Sequence, residues 1–332
     1  MLNQSLKLNT KIFNDDIEKK STRQGYGEGL LKAGTDNENV VALCADLTES
    51  TKTNLFAEKF PERFIQVGVA EQNLASVASG MASMGKIPFI ASYAIFSPGR
   101  NWEQIRTTIC YNNQPVKIIG SHAGLSVGPD GGSHQELEDI ALTRVIPNMV
   151  VISPCDAIEA KKATIACSKT KAPTYIRLAR NNTPIITTEE TSFEIGKAQI
   201  VFIPETGLAH VGIIATGPIL YKAIIVAHEL EKKGIKVKVM NLSTIKPLDT
   251  EAIIALAKET KAIVTIEDHQ IAGGMGSAVA ECLSQNYITP IEFVGVKDKF
   301  GQSGTPDKLE KHYEIDTSNI IDKVQKVLKR KI

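Results

Sequence analysis

The chain has 332 residues, more than one hydrophobic core usually serves, so two domains are expected. Its composition is that of an ordinary globular protein, and its net charge of +1 argues against the basic surface that nucleic-acid binding requires. No run reaches the roughly 18 consecutive apolar residues needed to span a bilayer, which argues against a membrane protein.

Residues 1–20 are polar and charged, and they lack the apolar segment that secretion signals carry. We therefore expect them to form a flexible lead. The five cysteines are widely spaced, whereas zinc ligands come as close Cys or His pairs, so the sequence predicts no metal site. Reduced thiols in a hydrophobic core indicate a cytoplasmic protein.

Short apolar runs alternate with stretches of helical periodicity, and each run has the length of a buried strand. The runs lie at residues 40–45, 64–69, 87–91, 116–120, 149–153, 174–178, 211–215, 236–240, 262–266 and 291–295. Strands that alternate with helices predict the α/β class, with two doubly wound domains on mostly parallel sheets. Residues 184–198 lack periodicity, which predicts a linker between a domain at residues 21–183 and a smaller one at residues 199–332.

Polar residues follow directly after several predicted strands of the first domain. Asp46, Glu71 and His122 stand at such positions, and so does the segment 92–96. In open parallel sheets, ligands bind beyond the carboxyl ends of the strands. A functional site is therefore expected at this edge of the first sheet.

Glu71 opens a predicted helix within the string Gly-Val-Ala-Glu-Gln-Asn at residues 68–73. A lone glutamate at this position could serve only to complement the helix dipole. The whole string, followed by a helix of small residues, resembles the pyrimidine-binding domain of transketolases and their relatives. The resemblance implies that Glu71 contacts N1′ of the aminopyrimidine of thiamine diphosphate. It would favour the imino tautomer, which lets the cofactor remove its own C2 proton.

The resemblance continues through residues 91–106, which include two aromatic residues three positions apart. It implies that Phe96 stacks on the pyrimidine and that Tyr93 lines its pocket, although the loop length would also allow these two roles to be exchanged. Asp46 matches an aspartate near the thiazolium. An ordinary strand-end turn is nearly as good an explanation of Asp46.

A glycine-rich loop at residues 120–134 carries His122, Asp130 and His134. Such a loop is poor core material, and its His–Asp–His spacing matches no usual pattern of metal ligands. The loop resembles the substrate loop of transketolases. The resemblance implies that His122 and Asp130 bind hydroxyl groups of a donor sugar, with His122 also a catalytic candidate. It places His134 near C1 of the sugar or in a general acid/base role.

Sugar phosphates call for guanidinium groups, which bind phosphate in a bidentate manner. Arg23 and Arg180 match family positions for this role, and the hydroxyl of Ser50 would assist them. Arg177 competes with Arg180 for the same role. The glycines at residues 273–276 do not complete a dinucleotide fingerprint, and they resemble a transketolase segment that binds no cofactor, so we expect them to be structural.

Full transketolases carry a further N-terminal domain for the cofactor diphosphate and magnesium, and the resemblance here begins only at about residue 21. It implies a split enzyme in which this chain, paired with itself, binds the pyrimidine half of thiamine diphosphate. A separate N-terminal subunit would hold Mg²⁺, giving a two-plus-two heterotetramer. The implied reaction is transfer of a two-carbon ketol unit from xylulose 5-phosphate to ribose 5-phosphate, a step of the pentose phosphate pathway.

Other functions remain open at this point. 1-Deoxyxylulose-5-phosphate synthase shares the fold and the glutamate, but the loop at residues 122–134 and the segment 301–306 look more like transketolase. The β subunit of a 2-oxoacid dehydrogenase is naturally separate from its partner, yet its substrates need neither the two arginines nor a hydroxyl-binding loop. A non-catalytic homodimeric assembly module would have no reason to keep the candidate residues together.

Overall fold

The computed structural model describes residues 1–331, and its strands and helices alternate along the chain as the sequence predicts. The elements of the first half are β1 (Lys19–Ser21), α1 (Thr22–Asp36), β2 (Val40–Cys44), α2 (Asn54–Lys59), β3 (Phe64–Gln66), α3 (Glu71–Ser83), β4 (Ile87–Tyr93), α4 (Trp102–Gln104), β5 (Lys117–Ser121), α5 (Asp139–Arg144), β6 (Val150–Ile152), α6 (Ala157–Ser168), β7 (Thr174–Arg177) and β8 (Asn182–Pro184). Those of the second half are β9 (Gln199–Phe202), β10 (Val211–Ala215), α7 (Leu220–Lys232), β11 (Val237–Asn241), β12 (Thr244–Lys246), α8 (Thr250–Thr260), β13 (Ile263–Gln270), α9 (Met275–Asn286), β14 (Ile291–Val296), α10 (Pro306–His312) and α11 (Thr317–Lys329). The predicted α/β class is confirmed.

The first sheet has seven strands in the order β12-β6-β7-β5-β4-β2-β3. Its pairs are parallel, except that β12 runs antiparallel to β6. Successive side chains of a strand point to opposite faces. In β2, Val41 and Leu43 enter one hydrophobic core while Val40 and Ala42 enter another. Both faces of the sheet are therefore covered, which is why its strands read as continuous apolar runs.

The second sheet has five strands in the order β14-β13-β10-β11-β9, with only the β9–β11 pair antiparallel. Its core includes Ile224 and Leu230 of α7 and Val324 of α11. A further core cluster joins residues of both halves, for example Ile140 of α5 and Met275 of α9. Together with β12, which is a second-half strand in the first sheet, this shared core makes the contact between the domains apolar and extensive.

Residues 1–20 do not form the flexible lead that the sequence suggested. Leu8, Ile12 and Ile17 are buried in the core of the second domain, and Asn3 Nδ2 donates to the main-chain oxygen of Ile200 at 2.8 Å. β1 then pairs with β8. The three apolar side chains are separated by polar residues at four- and five-residue intervals and were too few to be recognised as an element, yet each one packs into this core.

The segment at residues 184–198, predicted to be a linker, is attached to helices on both sides. Asp156, the N-cap of α6, accepts main-chain N–H groups of Ile186 and Thr187 at 2.8 and 2.6 Å. At the other end, Ala198 N donates to Asp249, the N-cap of α8, at 2.9 Å.

Within residues 1–331, no helix combines the length and the apolar character that a membrane crossing needs.

Candidate functional site

The carboxyl ends of β2, β4 and β5 meet at one edge of the first sheet because these strands are neighbours. Asp46 and His122 follow β2 and β5, and Tyr93 is the last residue of β4. Asp46 and His122 have φ angles of 59° and 57°, in the left-handed region that residues other than glycine seldom adopt. Such conformations concentrate at functional sites.

Glu71 begins α3 with its side chain only 2% exposed, and its Oε2 has no hydrogen-bond partner among residues 1–331. Asn101, which is fully buried, donates from Nδ2 to the main-chain oxygen of Glu71 at 3.0 Å and to Ser97 Oγ at 3.2 Å. A buried polar atom without a partner is costly unless a bound group satisfies it. The free carboxyl oxygen of Glu71 is therefore available to a donor on a ligand.

Four rings form an aromatic cluster after the carboxyl ends of β4 and β5: Tyr93, Phe96, His122 and His134. The Tyr93 ring is stacked with those of His122 and Phe96, at centroid distances of 3.8 and 6.2 Å. His134 meets Phe96 edge-on at 5.7 Å. Tyr93 and Phe96 are half-buried, so part of each ring is free to contact a flat heteroaromatic group.

His122 is held as a neutral imidazole. Burial lowers its pKa to about 3, assisted by the positive charges of Arg23 and Arg180. Nε2 lies 3.5 Å from Arg23 Nη1, and a guanidinium can only donate hydrogen bonds. We therefore assign the proton to Nδ1, which donates to Ser121 Oγ at 2.9 Å. Nε2 then carries the lone pair and can accept a hydroxyl proton.

Arg23 is fixed by main-chain oxygens and lies at the centre of the candidate anion site. It donates from Nη1 to the oxygen of Ser50 at 2.5 Å, and from Nε and Nη2 to the oxygen of Arg180 at 3.1 and 2.7 Å. Ser50 thus contributes its carbonyl to Arg23 rather than its hydroxyl. No carboxylate of the described chain pairs with Arg23, so its charge is available to a ligand.

Arg177 and Arg180 lie in different environments. Arg177 is buried and donates from Nε to both carboxyl oxygens of Asp139, at 2.9 and 3.1 Å. Arg180 is about a third exposed, donates to the oxygen of Val127 at 2.5 Å and lies 3.6 Å from Asp130. Only Arg180 is therefore free to meet a ligand beside Arg23.

The remaining predicted residues lie at the rim. Asp46 is exposed, and its main-chain N–H donates to Gln66 Oε1 at 2.7 Å. Its carboxylate makes no hydrogen bond to the other candidates within the described chain. His134 Nδ1 is 2.9 Å from Ser133 Oγ. Asp130 is exposed, and its carboxylate is linked to the other candidate residues by its ion pair with Arg180 at 3.6 Å.

Sequence reasoning missed two residues that shape this site. Asn101 ties the start of α3 to the loop that carries Phe96, and its complete burial could not be predicted from a polar loop. Asp268, at the end of β13, crosses from the second domain and accepts a hydrogen bond from Leu125 N. The one sequence signal for this contact was the position of Asp268 near the carboxyl end of a predicted strand, where ligands and partner groups commonly bind.

A metal-binding group of three or more His, Cys, Asp or Glu side chains is not found in residues 1–331. The residues present suit the pyrimidine of thiamine diphosphate better than a metal. The unpartnered oxygen of Glu71 would meet a ring nitrogen, and the half-buried faces of Tyr93 and Phe96 would contact the ring itself. This arrangement is consistent with a pyrimidine site of the kind found in thiamine-dependent α/β enzymes.

Two family comparisons agree with this class. Residues 18–185 match the family described as "Transketolase, pyrimidine binding domain", and residues 205–320 match "Transketolase, C-terminal domain". The chain belongs to the transketolase family. The first of these domains implies binding of thiamine diphosphate.

Relatives of similar length support the same family. The chain is 43% identical to a Methanocaldococcus jannaschii protein whose name describes a transketolase C-terminal section, over 94% of this chain and 97% of that one. It is 37% identical to the 6-deoxy-6-sulfo-D-fructose transketolase subunit SqwH of Clostridium sp. (strain MSTE9), over 96% and 98%. The solved structure titled "Split gene transketolase, inactive beta4 tetramer" superposes with a TM-score of 0.87 at 42% identity, covering 94% of this chain and 99% of that one. The chain is thus similar, along nearly its whole length, to the C-terminal section of transketolase and to a protein from a split-gene transketolase.

Proposed function

We propose that this chain is the subunit of a split transketolase that activates thiamine diphosphate and binds the donor sugar. The observation that carries the proposal is Glu71, which is buried at the start of α3 with Oε2 unpartnered among the described residues. Asn101 joins its main-chain oxygen to Ser97, the neighbour of Phe96 in the aromatic cluster. When bound, thiamine diphosphate supplies the carbon nucleophile and the electron sink for ketol transfer. Glu71 would hold a proton between Oε2 and the pyrimidine ring nitrogen, while Tyr93 and Phe96 orient the ring.

The donor sugar would lie along the loop at residues 122–134. His122 Nε2, whose lone pair lies 3.5 Å from Arg23 Nη1, would replace that long contact by a hydrogen bond from a sugar hydroxyl. Asp130 would accept a second hydroxyl, and His134 would stand near the reacting carbon as the general acid/base. Asp46 would lie near the thiazolium.

Arg23 and Arg180 would bind the anionic end of the sugar. Both guanidinium groups are positioned by main-chain oxygens, and the main-chain oxygen of Arg180 accepts two hydrogen bonds from Arg23. Two fixed guanidinium groups favour a phosphate, which they can bind in a bidentate manner. We infer that xylulose 5-phosphate and ribose 5-phosphate are donor and acceptor. A terminal sulfonate is the second candidate, because the SqwH relative is named for a sulfonated sugar.

The partner would be an N-terminal transketolase subunit that holds the cofactor diphosphate and Mg²⁺. No metal-binding group is present in the described part of this chain, and the solved relative with only β chains is titled inactive. A pair of these chains with two partners would complete two sites. The five cysteines of this chain are all free and buried, so we infer that the protein works in the reducing cytoplasm.

The experiment is a comparison of Glu71→Gln with wild type in the assembled enzyme, with Glu38→Gln as the matched control. Glu38 is an exposed glutamate away from the site. We expect Glu71→Gln to lower kcat by roughly a hundredfold to ten-thousandfold, because general acid/base groups contribute that much. The control should be unchanged, and both variants should melt like wild type. A Glu71→Gln enzyme within a few-fold of wild-type kcat would refute the role of Glu71.

A further inference from the structure

The helical turn that carries the candidate sugar-binding groups is held by a carboxylate of the other domain. Leu125–Asp130 forms a 3₁₀ turn with a kink at Gly128, whose φ is 72°, within the loop at residues 122–134. Asp268, from β13 of the second domain, accepts the Leu125 main-chain N–H with both carboxyl oxygens, at 3.0 and 3.1 Å. The first peptide of the turn is therefore bound to the second domain.

The approach of Asp268 depends on Gly124. A Cβ atom at this position would lie 2.0 Å from Asp268 Oδ2, far inside van der Waals contact. The φ angle of Gly124 is also +75°, a conformation that side chains disfavour. Glycine is thus needed both for the turn and for the close contact with the second domain.

Asp268 is itself fixed from the first domain. Arg177 Nη2 donates to the main-chain oxygen of Asp268 at 2.7 Å, while Arg177 Nε is paired with buried Asp139. Arg177, the alternative to Arg180 as a phosphate-binding residue, therefore links the two domains at the base of the loop.

A second contact holds the far end of the same turn. Gln135, which is buried, donates from Nε2 to the main-chain oxygens of Gly128 and Gln302, at 3.0 and 3.1 Å. Gln302 belongs to the second domain. The turn is therefore bound to the second domain near both of its ends.

The turn between these two contacts arranges the proposed sugar-binding groups. Arg180 N donates to Ser126 Oγ at 3.0 Å, and Arg180 Nη1 donates to the oxygen of Val127 at 2.5 Å. Asp130, the last residue of the turn, lies 3.6 Å from Arg180. A shift of the turn would move both groups together.

We propose that Asp268 is a positioning residue through which the second domain, which supplies no candidate cofactor ligand, fixes the sugar-binding turn. This inference rests on the proposed function, because it gives the second domain a role in donor binding. Glu71, Tyr93 and Phe96, the residues proposed for the pyrimidine, make none of these hydrogen bonds. Donor affinity should therefore depend on Asp268 while cofactor affinity does not.

The first arm of the test is amide hydrogen exchange of the chain alone, which requires no activity. The variants are Asp268→Ala, Asp268→Asn and, as the matched control, Asp316→Asn, which alters a helix-capping aspartate of the same domain. We expect faster exchange confined to residues 122–134 in Asp268→Ala, and a smaller change in Asp268→Asn, which keeps one acceptor oxygen. Unchanged exchange there, or faster exchange throughout the second domain, would overturn the inference.

The second arm is steady-state kinetics of the enzyme assembled with its partner. We expect Asp268→Ala to raise KM for the donor sugar about tenfold, as loss of one hydrogen bond to a charged group would, with kcat and the affinity for thiamine diphosphate within twofold. Asp268→Asn should recover part of this loss. A tenfold fall in kcat with unchanged KM for the donor would contradict a positioning role. If the wild-type assembly shows no ketol transfer, the proposed function fails, while the exchange arm still decides whether Asp268 holds the turn.

Discussion

The imidazole of His122 lies against the ring of Tyr93, with centroids 3.8 Å apart and planes inclined by 28°. This stacking joins the two halves of the candidate site. Tyr93 belongs to the aromatic cluster proposed for the pyrimidine, and His122 begins the loop proposed for the sugar. A substitution of His122 should therefore affect both stability and donor binding, and the pH dependence of stability separates these effects.

The neutral state of His122 predicts a specific loss of stability in acid. Burial and the neighbouring positive charges lower its folded-state pKa to about 3, from the 6.5 of an unperturbed imidazole. Between these values the unfolded state binds more protons, so the free energy of unfolding falls as the pH drops below about 6.5. His122→Asn cannot titrate. Between pH 7.5 and pH 5, wild type should lose about 2 kcal/mol more than this variant in urea unfolding.

The matched control is His312→Asn, because His312 is exposed on α10. Its loss between the same two pH values should equal that of wild type. Parallel losses for wild type and His122→Asn would mean that His122 titrates normally in the folded chain.

Arg177 and Arg180 should separate stability from substrate binding. Arg177→Met leaves Asp139 as an unpaired buried charge, so we expect the free energy of unfolding to fall by about 3–5 kcal/mol. Arg180→Gln removes a partly exposed cation, so stability should change by less than about 1 kcal/mol. In the assembled enzyme, Arg180→Gln should raise KM for a phosphorylated donor on the order of tenfold or more.

Urea unfolding of the two variants measures the stability changes. Steady-state kinetics of the assembled enzyme gives KM for phosphorylated and for unphosphorylated ketose donors. If Arg180→Gln raises KM equally for the phosphorylated and the unphosphorylated donor, the phosphate-binding role of Arg180 is wrong. A stable Arg177→Met chain would contradict the buried ion pair.

The N-terminal segment should contribute measurably to folding. Ile12 is fully buried in the core of the second domain, so Ile12→Ala should lower the free energy of unfolding by about 2–5 kcal/mol. Thr10→Ala changes an exposed neighbour and should stay within about 0.5 kcal/mol of wild type. Equal stability of the two variants in urea unfolding would mean that the segment does not pack against the domain in solution.

The sequence predicts most of the fold because its central strands are buried on both faces. β2 and β10 consist of apolar runs that need no periodicity to be recognised. The edge strands β8 and β12 were missed, since each has only three residues and contains or precedes a proline. Their pairing depends on distant partners rather than on local pattern.

The candidate site was predicted to the extent that strand ends determine it. Asp46, Tyr93 and His122 stand at the ends of adjacent strands, and the parallel order brings them to one edge. The choice between Arg177 and Arg180 could not be made from the sequence. Asp139, which neutralises Arg177, lies 38 positions away, and only the fold brings the two together.

The central claim is that this chain holds half of a site which a separate subunit completes. The most direct measurement is ketol transfer from xylulose 5-phosphate to ribose 5-phosphate, with thiamine diphosphate and Mg²⁺. It is made for this chain alone, for a candidate N-terminal subunit alone and for their mixture. We predict activity only in the mixture, saturating at equal numbers of the two subunits. Full activity of this chain alone would contradict the claim, and so would a mixture of stably associated subunits that transfers no ketol unit.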